Sequence, residues 1–428
     1  MRRFRFISGA LLLTLAAGCA RRAEVTPAHV ATAETTATAQ SIRVSPGDVK
    51  AAEPAVAADV AGTTYVAYVE HREDGAADVW LARLARGAQP GAPVRVNPRV
   101  GEATAWRGDP PTVAVAPKGT IYVGWTARPQ SVPQGSHAND LYVSASSDGG
   151  RTFNPPVKVD SDARPSERGL HSLAVAHDGS IHVAWLDGRN AAAAPSHDAM
   201  AGGAHQPEAN REVFYSFSTD GGQSFARGRL IAREACPCCK TALASGADGE
   251  VYLSWRQVLP GDFRHIAVAA SKDGGRSFNS PVVVSDDQWK IGGCPVSGAP
   301  LAVVADGALR VVWYTAGAAG ETGLYWSESR DGGRTFSPRQ LLARGKTRGT
   351  PGLSADGKGG TLIVWESGEG GAPRLLSARL AGDGRAELLN AAARAGEVPS
   401  IATSTPSALA YVVETEGRRG IWLTRAGE

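Results

Sequence analysis

The chain is predicted to be all-β: a propeller of four-stranded antiparallel blades. Three observations carry this. An octapeptide recurs four times, as Ser146-Ser-Asp-Gly-Gly-Arg-Thr-Phe153, Ser218-Thr-Asp-Gly-Gly-Gln-Ser-Phe225, Ser271-Lys-Asp-Gly-Gly-Arg-Ser-Phe278 and Ser329-Arg-Asp-Gly-Gly-Arg-Thr-Phe336. A turn glycine is followed six residues later by an aromatic at Gly62/Tyr68, Gly119/Trp125, Gly179/Trp185, Gly249/Trp255, Gly307/Trp313 and Gly359/Trp365. No helical periodicity longer than one turn interrupts residues 41–428.

The N-terminus comes first. Arg2, Arg3 and Arg5 precede an apolar run from Ile7 to Ala17. That pattern is a signal peptide over residues 1–18, too short to span a bilayer as a helix. Ala16-Ala17-Gly18-Cys19 resembles a lipobox, which would make Cys19 the lipidated first residue of the mature chain. Residues 19–40, rich in Ala and Thr, read as the lipidated cysteine and a flexible tether. Export removes three arginines, so 45 basic groups become 42 against 42 acidic ones. With a neutral mature chain, nothing suggests nucleic acid as a partner. The expected setting is a monomer in the cell envelope, on the periplasmic or outer-membrane side, touching the membrane only through its anchor.

Residues 41–428 then repeat. Each unit has an inner strand and a β-rich second strand such as Ile121-Tyr-Val-Gly-Trp125. A third strand such as Leu141-Tyr-Val-Ser144 leads into the octapeptide turn, and an outer strand such as Pro156-Val-Lys-Val159 completes the unit. Within the turn, the Asp accepts hydrogen bonds from local N–H groups, and the paired glycines take positive φ. The closing Phe plugs the space between neighbouring hairpins. A seventh, degenerate copy around Leu409-Ala-Tyr-Val-Val413 lacks an outer strand, and Ser41-Ile-Arg-Val-Ser45 can supply it. Ring closure of that kind hides two sheet edges. The count favours seven blades, with six as the alternative.

The octapeptide is identified as the Asp-box, and the chain resembles the sialidase (bacterial neuraminidase repeat) superfamily of propellers. The resemblance covers residues 41–428 in architecture. It implies a sialidase-like fold, an axial ligand site, and a carbohydrate-directed activity of the exo-sialidase or glycan-binding kind. Sialidases proper have six blades, and their Arg-Ile-Pro segment is absent here.

Alternation of turns along a blade places the Asp-boxes on one face. The b–c loops and d–a connections fall on the other, where the resemblance puts the ligand. Arginines expected there include Arg72, Arg107, Arg128, Arg168, Arg189, Arg256 and Arg348. Of these, Arg72, Arg107, Arg189 and Arg256 are the expected substrate clamp, since a guanidinium fork matches a carboxylate. A sialidase also needs an acid/base carboxylate and a Tyr nucleophile activated by Glu. Asp109 is the candidate acid/base, with Tyr314 and Glu366 as nucleophile and activating base.

The same face should gather Cys236, Cys238 and Cys239 of Cys236-Pro-Cys-Cys-Lys240 with Cys294, and His171 beside them. Three chemistries stay open for this cluster. They are two disulfides or one plus a free pair, a Cu or Zn site, and a redox-active thiol pair. The long loop from Asn190 to Arg211 carries His197 and His205 and could cover it. Three functions follow: a glycan-directed propeller, a metal-binding or redox protein, and a non-catalytic envelope scaffold.

Overall fold

The computed structural model describes residues 31–32, 41–133, 136–191, 209–291, 295–389, 395–402 and 407–426. Among these residues the strands group into seven four-stranded antiparallel units, the sixth carrying a further short strand, Ala31–Thr32, that pairs parallel with Ala386–Leu389. Their innermost strands are Lys50–Ala58, Thr112–Val115, Arg168–Val175, Ala242–Ser245, Leu301–Val303, Thr347–Ala355 and Glu397–Ala402. The third and fourth units are additionally joined edge to edge where Ala235 pairs with Gln257. The last unit has only three strands from the C-terminal part of the chain. Its outer strand is Ser41–Arg43, which pairs antiparallel with Arg418–Ala426 in the register Ser41↔Thr424, Ile42↔Leu423, Arg43↔Trp422. The Tyr411 hydroxyl donates to Ser41 Oγ at 2.8 Å and fixes that closure from inside.

The core is a ring of interfaces between neighbouring units. One apolar cluster joins Tyr65, Leu81 and Ile121; the next joins Tyr122, Val143, Ile181 and Trp185. The cluster holding Ala52, Val66, Ala410 and Leu423 joins the first unit to the last. The second-strand tryptophans Trp125, Trp185, Trp255, Trp313 and Trp365 are all at most 2% exposed. Each would bury well over about 100 Å² of apolar surface, so these interfaces dominate stability. Trp185, Trp255 and Trp313 also donate their indole N–H to Asp187, Gln257 and Asp287.

The four Asp-boxes share one geometry. In the first, Ser146 Oγ donates to Asp148 Oδ1 at 2.8 Å while accepting the Gly150 N–H at 2.9 Å. The Thr152 hydroxyl and N–H donate to the two oxygens of the same carboxylate. Gly149 and Gly150 lie at φ 78° and 84°, which a side chain would strain. Phe153, Phe225, Phe278 and Phe336 each pack into the interface with the preceding unit. The turn thus fastens one blade to the next.

At the opposite end the inner strands are irregular. Register shifts interrupt the innermost strands of the first, third, sixth and seventh units, between Ala52/Ala55, Gly169/Ser172, Arg348/Gly352 and Glu397/Ser400. Glu53, Leu170 and Val398 sit at positive φ within them. Bulges re-aim side chains, and here they do so at the rim of the central channel.

Candidate functional site

A channel runs along the centre of the ring. Its wall includes Ala55, Thr112, Leu173, Ala242, Leu301, Leu353 and Ile401, one from each of the seven innermost strands. The channel opens into a wider cavity of about 710 Å³, with which it shares Arg107, Arg348 and Gly349. Trp106, Trp289, Tyr314 and Lys346 complete the functional lining of this mouth. They come from d–a connections and the ends of second strands, the face opposite the Asp-boxes.

Charge in the mouth is one-sided. Arg107, Lys346 and Arg348 line it, Lys240 joins them in the channel, and no described lining residue of either cavity is a carboxylate. Arg107 is held from behind: Nη2 donates to Glu366 at 2.7 Å and Nη1 to Glu397 at 2.8 Å. Arg419 shares Glu397 at 2.5 Å. Arg348, about half exposed, lines the cavity and comes no closer than 4.0 Å to Glu366. Glu366 is fully buried, takes the Val398 N–H at 3.1 Å, and has one oxygen without a hydrogen-bond partner. Three arginines thus share two carboxylates, and the surplus is positive.

Aromatic surface accompanies that charge. Trp106 is 45% exposed, an outlier among large apolar side chains here. Trp289 and Tyr314 meet edge to face at 5.5 Å between ring centroids. Burial, reinforced by the charge of Glu369, raises the Tyr314 hydroxyl above its ordinary pKa, so it stays protonated at neutral pH.

The expected clamp does not assemble as one cluster. Arg107 reaches the mouth. Arg72 instead lies 44% exposed beside Asp74 and Asp78, at the end of the first unit's second strand. Arg189 is locked into Asp160, Asp162 and Asp187 and stacks on Phe214 at 4.0 Å. Arg256 is 1% exposed, donates to the carbonyls of Ser297 and Tyr314, and lies 4.8 Å from the Trp289 ring, behind the cavity wall. Strand-end arginines on one face still differ in radius, and radius is invisible to a turn-counting argument. Arg348 is the cation that carries the mouth with Arg107. Its signal in the sequence is its place at the start of the sixth inner strand, on the end opposite the Asp-boxes.

Asp109 also has a different setting from the acid/base expectation. It is 2% exposed and accepts from the backbone N–H of His171 at 3.0 Å and the ring Nδ1 at 2.7 Å. Thr126 adds a third bond at 3.3 Å. Burial alone would raise its pKa. The charge and hydrogen bonds of His171 outweigh that and hold it below the usual range. His171 therefore bridges the second and third units rather than joining the cysteines. Glu366 is likewise spent on Arg107 and Val398, and no described contact links it to Tyr314.

The cysteines do gather. Cys236, Cys238 and Cys239 are buried, and their sulfurs lie within 4.8 Å of one another. Cys236 and Cys239 are free thiols, whereas Cys238 is disulfide-bonded, to neither of those two. Hydrogen bonding from Cys239, helped by Arg256 and Arg264, outweighs burial and lowers the Cys236 thiol to about 6. Burial and the same shared hydrogen bond raise Cys239. Arg264 Nη1 touches Cys236 Sγ at 3.2 Å. The pair is a C-x-x-C, a spacing hidden in the sequence by the third cysteine inside it. Cys294, Cys19, His197 and His205 lie outside the described residues.

Comparison with known proteins follows the same lines. Residues 62–348 match the family described as BNR repeat-like domain. No curated protein sequence matches the chain. Among solved structures, a protein of unknown function from Dyadobacter fermentans DSM 18053 is similar at TM-score 0.50 and 13% identity, over 91% of this chain and 98% of that one. An ulvan lyase bound to -[GlcA(1-4)Rha3S]- is similar at TM-score 0.54 and 12% identity, over 89% and 95%. A Hadza microbial sialidase gives 0.49 and 16%, over 82% and 73%. At such identities the likeness is one of fold.

Proposed function

The chain belongs to the BNR repeat-like domain family, and from that premise we propose that it is a carbohydrate-directed propeller of seven blades whose axial mouth binds an acidic glycan. In this reading it is exported and held in the envelope through a lipid on Cys19. One observation carries the ligand class: the mouth holds Arg107, Lys346 and Arg348 without a lining carboxylate among its described residues. A neutral sugar gains nothing from that surplus, whereas a carboxylate or sulfate restores charge balance with charge-assisted bonds. Trp106, Trp289 and Tyr314 supply apolar faces for a sugar ring, the usual composition of a small-ligand pocket.

Arg348 is the primary anion contact, because its donors are not committed to the protein. Arg107 is the pre-oriented second contact, its planar group fixed by Glu366 and Glu397. Tyr314 is a neutral hydroxyl able to donate to the ligand. Glycoside cleavage would require a proton donor beside that ligand, and Asp109 is sealed against His171. The site therefore supports recognition, with any turnover resting on Tyr314.

The test is titration of the full chain with uronate-bearing, sialylated, sulfated and neutral oligosaccharides of matched length. Binding of an acidic member that is lost in Arg348→Ala supports the reading. Indifference to the acidic group would refute it. A fluorogenic sialoside, turned over by the native chain but not by Tyr314→Phe, would add catalysis.

A further inference from the structure

Behind the cavity wall lies chemistry that glycan recognition does not use. The chain leaves the outer strand Arg229–Ala235 and turns inward at Cys236, whose N–H donates to the Arg256 carbonyl at 2.8 Å. This seats Cys236 and Cys239 at 1% exposure each, beside Val258. Two free thiols so deeply buried, three residues apart and not joined to each other, form a ready two-sulfur chelate. We propose that Cys236 and Cys239 bind one soft monovalent metal ion, Cu(I), between their sulfurs.

Three features select this ion class. Thiolate pairs favour soft ions, and Cu(I) accepts few ligands. Metal–sulfur bonds of about 2.3 Å let one ion bridge sulfurs up to about 4.6 Å apart, which suits sulfurs lying within 4.8 Å of one another. Structural zinc needs four donors, and Cys238, the only further described donor in reach, has its sulfur engaged in a disulfide.

The charge balance is the second, independent observation. Arg256 is 1% exposed, and its Nε and Nη1 have no hydrogen-bond partner. No described carboxylate forms an ion pair with it, and its charge acts on both Cys236 and Cys239. A buried guanidinium without a counter-ion is costly. Two thiolates and Cu(I) carry one net negative charge, which would neutralise Arg256 where neutral thiols do not. Arg264 adds a hydrogen bond to Cys236 while its own charge is matched by Asp262. On binding, the thiol protons pass to solvent and two metal–sulfur bonds form, with no change of oxidation state. Arg256 also lies against Trp289 of the glycan mouth, so the metal would stiffen the wall of that cavity.

The experiment is a Cu(I) titration of the full chain under ascorbate against a coloured Cu(I) chelator, followed by X-ray absorption of the loaded protein. The expected result is one Cu(I) per chain with two sulfur neighbours, lost in both Cys236→Ser and Cys239→Ser. Arg256→Met, which keeps both sulfurs, should weaken binding about 10–100-fold. Should either cysteine variant fail to fold, the sulfur count in the native protein and the Arg256→Met affinity decide the matter. Stoichiometric uptake that survives Cys236→Ser, a metal ringed by nitrogen or oxygen, or preference for Zn(II) would overturn the proposal. So would a Cys236–Cys239 disulfide in protein isolated from the periplasm. Glycan binding measured on the same samples is read separately, so failure of one site does not mask the other.

Discussion

Two sets of arginines on the same end of the propeller have opposite fates. In the third unit, Arg168 and Arg189 are buried among Asp140, Asp160, Asp162 and Asp187, with Lys158 and Arg164 completing the set. Four cations there meet four carboxylates, so the charge of the set is balanced within the protein. At the axial mouth, Arg107, Arg348 and Arg419 share only Glu366 and Glu397, and Lys346 joins them in the lining. Residue type is the same in both places. The difference lies in what remains after the protein has satisfied itself, and that remainder is what a ligand can use.

Removing Arg168 should give the largest effect. Arg168→Ala removes the fully buried cation shared by Asp140, Asp160 and Asp187, leaving Lys158 on the first and Arg189 on the other two, and breaking such a buried pair costs about 3–5 kcal/mol. Chemical denaturation would register that loss, while the preference for acidic over neutral oligosaccharide in the surviving folded protein should not change. Arg348→Ala should do the reverse. Its loss of a charge-assisted contact should weaken acidic-glycan binding by about 1.5–3 kcal/mol, with stability altered by less than about 0.5 kcal/mol, as for surface substitutions. A large stability loss there would place Arg348 with the saturated set and break the comparison.

Arg107→Ala should fall between the two, because Arg107 lines the mouth and is also ion-paired to Glu366 and Glu397. Glu366 would keep Arg348 and the Val398 N–H but lose its closest cation. Stability should fall by about 1–3 kcal/mol, and glycan affinity should fall with it. Denaturation and calorimetric titration of the one variant separate the two losses.

The Asp-boxes should give the smallest and most pH-dependent effect. Side-chain hydrogen bonds from Ser224 and Ser277 foremost, with Ser218, Ser271 and local N–H groups, hold Asp220 and Asp273 down to about 2. Their folded pKa lies below the unfolded value of about 3.9. The stability they add is therefore full above about pH 4 and lost as pH falls toward about 2. Both are exposed, so solvent screening keeps the gain modest. Thermal midpoints measured from about pH 5 down to about pH 2 should decline, and Asp220→Asn with Asp273→Asn should flatten that decline.

What the sequence revealed follows from range. An Asp-box satisfies itself within five residues, Ser146 to Gly150 and Asp148 to Thr152, so pattern alone specifies its geometry. Closure by Ser41–Arg43 was legible because the last repeat lacks an outer strand, and an unpaired edge demands a partner. Turn alternation also placed Arg107, Tyr314 and Arg348 on the cavity side. Ion pairing was not legible. Arg107 finds Glu366 259 residues away, and His171 finds Asp109 62 residues away. Nothing local distinguishes Arg189, consumed by three aspartates, from Arg348, which is not. The cysteines were legible as a cluster, but which thiols stay free is set by pairings that spacing does not encode.

The most direct measurement is a calorimetric titration of the full chain with two oligosaccharides that differ only in one carboxylate, repeated on Arg348→Ala. The carboxylated sugar should bind the native chain, weaken as salt rises, and lose that advantage in Arg348→Ala. Equal binding of the neutral sugar, or an advantage that survives without Arg348, would contradict an axial mouth built on surplus positive charge.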